Sequence, residues 1–136
     1  MYEMKIRHYF DAAHQLPDSP DLVTKKCCNL HGHTYAVDVF IEKIRLKSGM
    51  IVDFKAVKDM IDILDHQNIN EVFLKEGISH YTTAEMIAKF LFRKIQDKLQ
   101  EKNETIRYPI VKKVSICEGY KGENNSSWVS YDGVDN

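Results

Sequence analysis

Residues 3 to 14 read Glu3-Met4-Lys5-Ile6-Arg7-His8-Tyr9-Phe10-Asp11-Ala12-Ala13-His14, and their parity decides the fold. Glu3, Lys5 and Arg7 fall on one parity and Met4, Ile6 and Phe10 on the other, which is the period of a strand with one buried face. A strand that continues to His14 carries that imidazole inward with Phe10, provided no bulge intervenes. His8 shares the inward parity and is read as a structural residue.

Working outward, residues 15 to 30 hold two prolines and little periodicity, so they predict an ordered loop. His33 to Ile41 is rich in aromatic and β-branched residues and predicts a second strand, with Tyr35, Val37, Val39 and Ile41 on one face. His31 and His33 share that odd parity and can point to the same side. Asp53 precedes Phe54, Val57, Met60, Ile61 and Leu64, an apolar stripe with an N-cap acceptor, which predicts a helix ending near Leu64. Thr82 and Glu85 fit a capping box that opens a second helix, with Ile87, Ala88, Leu91, Ile95 and Leu99 on one face and a polar, solvated end over residues 96 to 104. Val111 to Glu118 returns to strand, with Val114, Ile116 and Glu118 on one parity, and Gly122-Glu123-Asn124-Asn125 turns into a last strand from Ser127 to Tyr131. The order ββααββ, with two helices on one face of an antiparallel sheet, makes the expected class α+β.

A length of 136 residues suits one domain over residues 1–136, and 43% hydrophobic with 29% charged residues suits a globular one. The formal net charge of -1 offers no bulk attraction to nucleic acid or to anionic membrane, so neither is expected as a partner. The opening MYEMKIRHYF lacks a signal-like apolar core, and no run approaches the ~18 apolar residues that cross a bilayer, so the expected location is cytoplasmic. The cysteines are Cys27, Cys28 and Cys117. Adjacent cysteines rarely pair, and in a reducing compartment ligand or nucleophile roles outrank a staple. Cys117 reads as packing.

His14, His31 and His33 come from the inward ends of two neighbouring strands, and three imidazoles with an open fourth position are the pattern of a catalytic zinc. Cys27 and Cys28 admit three readings: further zinc ligands, one nucleophile or acid/base thiol, or inert loop residues. Asp65-His66 follows a helix end and is either a carboxylate-oriented imidazole serving a thiol or a polar helix stop. Glu118, an acid on an apolar face, either reaches water at a strand end or is a buried carboxylate whose partner would be a guanidine-like N–C–N edge of a heterocycle. His80 reads as a loop residue.

These segments have a family likeness. Phe10-Asp11-Ala12-Ala13-His14, Cys27 with His31-Gly32-His33, and Gly49-Met50-Ile51-Val52-Asp53-Phe54 are followed by Leu64-Asp65-His66-Gln67-Asn68-Ile69-Asn70, Thr82-Thr83-Ala84-Glu85 and Val114-Ser115-Ile116-Cys117-Glu118. In that order the chain resembles, over nearly its whole length, the 6-pyruvoyltetrahydropterin synthase and 6-carboxytetrahydropterin synthase superfamily. The resemblance implies the tunnelling fold (T-fold), whose ββααββ subunits close their sheets into a barrel on oligomerisation, usually as a homohexamer built from a dimer of trimers. It implies Zn²⁺ on His14, His31 and His33, a catalytic thiol at Cys27, and a relay of Asp65 and His66, with His66 arriving from a neighbouring subunit. It further implies a pterin ring anchored by Glu118, with Thr83 at its rim, and no functional position for Cys28. The three-residue gap between Cys27 and His31 is similar to that of the bacterial 6-carboxy enzymes of the queuosine and 7-deazapurine route. That likeness implies conversion of 7,8-dihydroneopterin triphosphate to 6-carboxytetrahydropterin, a zinc-dependent lyase reaction releasing triphosphate and acetaldehyde. The alternatives are a 6-pyruvoyltetrahydropterin synthase, a noncatalytic zinc- or pterin-binding module, and a cysteine hydrolase using Cys27, His66 and Asp65.

Overall fold

The computed structural model describes residues 1–101 and 110–135. Its elements are β1 (Tyr2–His14), β2 (His31–Lys43), α1 (Phe54–Ile61), β3 (Gln67–Asn68), α2 (Ile69–Lys75), α3 (Ala84–Glu101), β4 (Ile110–Glu118) and β5 (Trp128–Tyr131). The class is α+β as expected, with two additions to the expected order. A two-residue strand, β3, runs parallel to β1, and α2 makes a third helix, so the sheet is mixed, in the order β3-β1-β2-β4-β5. Residues 102 to 104 of the polar helix end lie outside the described residues.

β1 and β2 pair without a bulge from Tyr2↔Lys43 to His14↔His31. Every even residue of β1 therefore faces the same way as an odd residue of β2, and β2 hands the same face to β4 through Tyr35↔Glu118. A bulge opposite Phe40/Ile41 shifts β4, which is how Val111 and Val114, three apart, both become buried. The inward face (Ile6, Phe10, Tyr35, Val37, Val114, Ile116) meets the helices: α3 lies over β4 and β5, α1 against α3 and β1, and α2 against β1. Asp53 caps α1 by accepting from Lys55 N at 2.9 Å. Cys117 is fully buried, and His8 is tied to Asp62 just beyond α1, Nε2 to Oδ1 at 2.8 Å.

The other face of the sheet carries one polar knot. Asp38, 5% exposed, accepts from Arg7 Nε at 2.7 Å and from Arg7 Nη2 at 2.9 Å. The guanidinium carbon of Arg7 sits 5.3 Å from the ring centre of Tyr120 and 5.0 Å from that of Trp128, and Nη1 also reaches Glu123. Burial pushes the Asp38 carboxyl up, but the hydrogen bonds and charge of Arg7, helped by Lys5, outweigh it and hold the group below its ordinary range. A depressed carboxyl stabilises the fold above its unfolded pKa and loses that contribution as pH falls through its folded one. Asp38→Asn is therefore expected to lower the unfolding free energy at pH 7 by about 2–3 kcal/mol, short of the ~3–5 of a fully enclosed pair because Arg7 is partly wet. The deficit should shrink towards pH 3, as read by urea unfolding at a series of pH values.

Candidate active site and metal centre

The register that builds the sheet also gathers the site. His14 lies opposite His31, His33 lies two residues further along β2, and Glu118 lies across from Tyr35, all on the helix side at one end of the sheet. One nitrogen from each of His14, His31 and His33 falls within 4.8 Å of the others, so this group could hold a metal ion. His14 is buried, 1% exposed. Its Nδ1 donates to the carbonyl of Thr82 at 2.8 Å, with Thr82 Oγ1 at 3.1 Å. His31 Nδ1 donates to the carbonyl of Asn29 at 2.6 Å. A carbonyl only accepts, so both rings carry their proton on Nδ1 and keep the Nε2 lone pair free for a metal.

The Nε2 atoms of His14 and His33 are buried without a well-directed hydrogen bond, although Glu118 Oε1 stands 3.2 Å and 3.7 Å from them. Buried ring nitrogens with no partner are costly, and a divalent cation would satisfy both. The donor set therefore fits a metal. Burial lowers the basicity of His33, which favours the neutral imidazole a metal needs.

Glu118 has 37% of its side chain exposed and also accepts from the Tyr35 hydroxyl at 3.4 Å. Burial raises its carboxyl, and the His14 contact, with the positive charge that His33 and His14 carry when protonated, brings it below the ordinary value. Burial and the neighbouring carboxylate push the Tyr35 phenol far up, leaving it a permanent donor. Glu118 and Thr83 line one open cleft of about 320 Å³ with Leu16, Glu85 and Ser127.

The capping box expected of Thr82 shifts by one residue. Thr83 caps α3, its Oγ1 accepting from Met86 N at 3.3 Å and its carbonyl from Ile87 N at 2.9 Å. Thr82 is instead fully buried and turned to His14. Two adjacent threonines hide that choice from sequence, because only the tertiary partner separates them.

Cys27 and Cys28, both partly buried, lie in a 3-10 turn over Lys25–Cys28, and the Cys27 carbonyl accepts from Leu16 N at 2.8 Å. The carboxylate of Asp65 accepts from Asp11 N at 3.0 Å through Oδ1 and pairs with His66 Nδ1 at 2.9 Å through Oδ2. The backbone of His66 takes a positive φ of 59° and donates from N to Asp11 O at 2.6 Å. The Asp11 amide is the main influence lowering the Asp65 carboxyl, and the Asp65 hydrogen bond raises the exposed His66 imidazole. The structure thus brings His14, His31, His33 and Glu118 together. It joins Asp65 to His66, whose side-chain hydrogen bonds among the described residues run to each other and to Asp11 rather than to Cys27.

The family model described as "6-pyruvoyl tetrahydropterin synthase" matches residues 3–133. A 6-carboxy-5,6,7,8-tetrahydropterin synthase of Haemophilus influenzae is 34% identical over 132 residues, covering 79% of this chain and 91% of that protein. One from Synechocystis is 33% identical over 94 residues, covering 65% of this chain and 70% of that protein. The solved 6-pyruvoyl tetrahydropterin synthase of Caenorhabditis elegans superposes with a TM-score of 0.66 at 25% identity, covering 98% of this chain and 96% of that one.

Proposed function

The chain belongs to the 6-pyruvoyl tetrahydropterin synthase family, and on that premise we propose that it is a zinc-dependent lyase acting on 7,8-dihydroneopterin triphosphate. With one water consumed, its product is 6-carboxy-5,6,7,8-tetrahydropterin, with triphosphate and acetaldehyde released. The observation that carries the reading is the triad of His14, His31 and His33 with two orphaned Nε2 atoms beside the carboxyl group of Glu118. The relatives named for 6-carboxy-5,6,7,8-tetrahydropterin synthesis, together with the short gap from Cys27 to His31, favour the carboxy over the pyruvoyl product.

His14, His31 and His33 would hold Zn²⁺, which when bound supplies Lewis acidity toward the side-chain hydroxyls of the substrate and acidifies the adjacent C–H bonds. Glu118 accepts the N–H pair on the N–C–N edge of the pterin ring and so sets which carbon meets the base, while the Thr83 hydroxyl lies at the rim. Cys27 takes the proton from that carbon as a thiolate and returns it. Asp65 holds His66 in one orientation and raises its basicity, so His66 acts on the thiol proton.

Where the chain tethers these groups supports a relay completed by a second subunit. Asp65 and His66 are pinned to β1 at Asp11, whereas Cys27 is pinned at Leu16 beyond His14. At about 3.3 Å per residue, Asp11 and His14 alone are roughly 10 Å apart on an extended strand. A neighbouring copy supplying His66 resolves that separation, in keeping with a cytoplasmic homohexamer of single-domain subunits spanning residues 1–136. No helix among the described residues is long and apolar enough to cross a membrane.

Incubating the zinc-loaded protein with 7,8-dihydroneopterin triphosphate and weighing the product by mass spectrometry tests the reading. The expected result is 6-carboxytetrahydropterin with one acetaldehyde per turnover. A 6-pyruvoyl product would favour the pyruvoyl synthase, and no turnover at full zinc occupancy would sink the lyase.

A further inference from the structure

The segment Asp65-His66-Gln67-Asn68-Ile69-Asn70 does more than carry a relay pair. It runs alongside the end of β1 and grips it residue by residue. Asp65 Oδ1 accepts from Asp11 N, and His66 N donates to Asp11 O. Gln67 and Asn68 pair with Ala12 and Ala13 as β3. At the next step the backbone turns away into α2, capped by Asn68 through its Oδ1 to Asn70 N at 3.0 Å and Glu71 N at 3.4 Å. The side chain of Asn70 then takes over from the backbone. Its Oδ1 accepts from Gln15 N at 2.9 Å and its Nδ2 donates to Gln15 O at 2.9 Å.

A carboxamide that accepts from the N–H of one residue and donates to the C=O of that same residue reproduces a ladder pair with a side chain. The residue held between this clamp and β3 is His14. The same clamp reaches the partner that sets the His14 ring. Thr82 Oγ1 lies 3.3 Å from Gln15 O and 3.4 Å from Asn70 Oδ1, and the Thr82 carbonyl accepts from His14 Nδ1. Backbone position and ring tautomer of one imidazole are thus governed from a single junction of Gln15, Asn70 and Thr82.

We infer that Asn70 is a positioning residue for the metal centre, acting through Gln15 and Thr82 to hold His14 with Nδ1 protonated and Nε2 aimed at the other two histidines. This rests on the metal-binding reading of the triad. The clamp at Gln15 is open to solvent, so water can replace its hydrogen bonds at little cost to the fold. Water does not replace their direction, and the placement of His14 is what suffers.

The test is zinc affinity, measured by chelator competition on the full-length protein, for the parent, Asn70→Ala, Asn70→Asp and Asp53→Ala. The aspartate keeps the shape of Asn70 but turns an acceptor toward the Gln15 carbonyl. Asp53→Ala removes the α1 cap, a comparable local loss far from His14. Both Asn70 variants are expected to bind zinc about 10- to 100-fold more weakly, the usual consequence of losing a group that orients a ligand, while Asp53→Ala stays within twofold of the parent. Asn70 variants within twofold of the parent would overturn the inference, as would an equal loss in Asp53→Ala.

A second readout needs no metal. Long-range ¹H–¹⁵N spectra of histidine-labelled protein should report the Nδ1–H tautomer of His14 in the parent and a mixture in Asn70→Asp. A parent that binds no zinc would end the zinc reading yet leave this measurement standing, and an unchanged tautomer in Asn70→Asp would then overturn the inference by itself.

Discussion

Cys27→Ala is expected to keep zinc at the parental ratio and to lower turnover about 10³-fold, the middle of the 10²- to 10⁴-fold range for losing a positioned acid or base. Metal analysis and acetaldehyde release read the two halves separately. In a 3-10 turn successive side chains project about 120° apart, so Cys27 and Cys28 cannot both face the histidines. The carbonyl of Cys27 is tied to Leu16, two residues beyond His14, which anchors that position of the turn to the strand end that carries the triad. Cys28→Ala is therefore expected to retain parental activity. If Cys27→Ala instead sheds its zinc, the thiol is a ligand, and the noncatalytic zinc-module reading replaces the lyase.

The inward location of His14 was legible from the alternation of Met4, Ile6 and Phe10 because β1 carries no bulge against β2. A slip of one residue would have turned the imidazole to the opposite face. The same parity argument placed His31, His33 and Glu118 on one side. What stayed hidden is tertiary. Ile69–Lys75 spans barely two turns and is stabilised by burial of Ile69 and Phe73 rather than by any long periodic stripe. The two-residue β3 exists only because β1 offers it an edge. Asn70 stood inside a recognisable motif, yet its two bonds to Gln15 cross 55 positions in the chain, and no local pattern specifies them. Thr82 was assigned to a cap because its true partner, His14, lies 68 positions away.

The other large effect belongs to the triad itself. His33→Ala is expected to weaken zinc binding at least about 100-fold: spreading the ~10–16 kcal/mol of a four-ligand zinc site over its ligands gives roughly 3 kcal/mol for each, and about 1.4 kcal/mol is a factor of ten. Turnover should fall to background at ordinary zinc concentrations, and stripping the parent with a chelator should do the same. Adding zinc back restores the stripped parent but not the variant, which distinguishes a missing ligand from damage during chelation. A cysteine hydrolase built on Cys27, His66 and Asp65 would instead continue to work after chelation, because none of those three side chains belongs to the histidine group. His33 is the sharpest member to remove, since its Nε2 is buried without a well-directed hydrogen bond and its ring is more open than that of His14. Alanine there opens a ligand position without disturbing the Thr82 and Asn29 carbonyls that orient the other two rings. Loss of the metal in His33→Ala with an intact fold would therefore mean that the site spends its third histidine on chemistry rather than on stability.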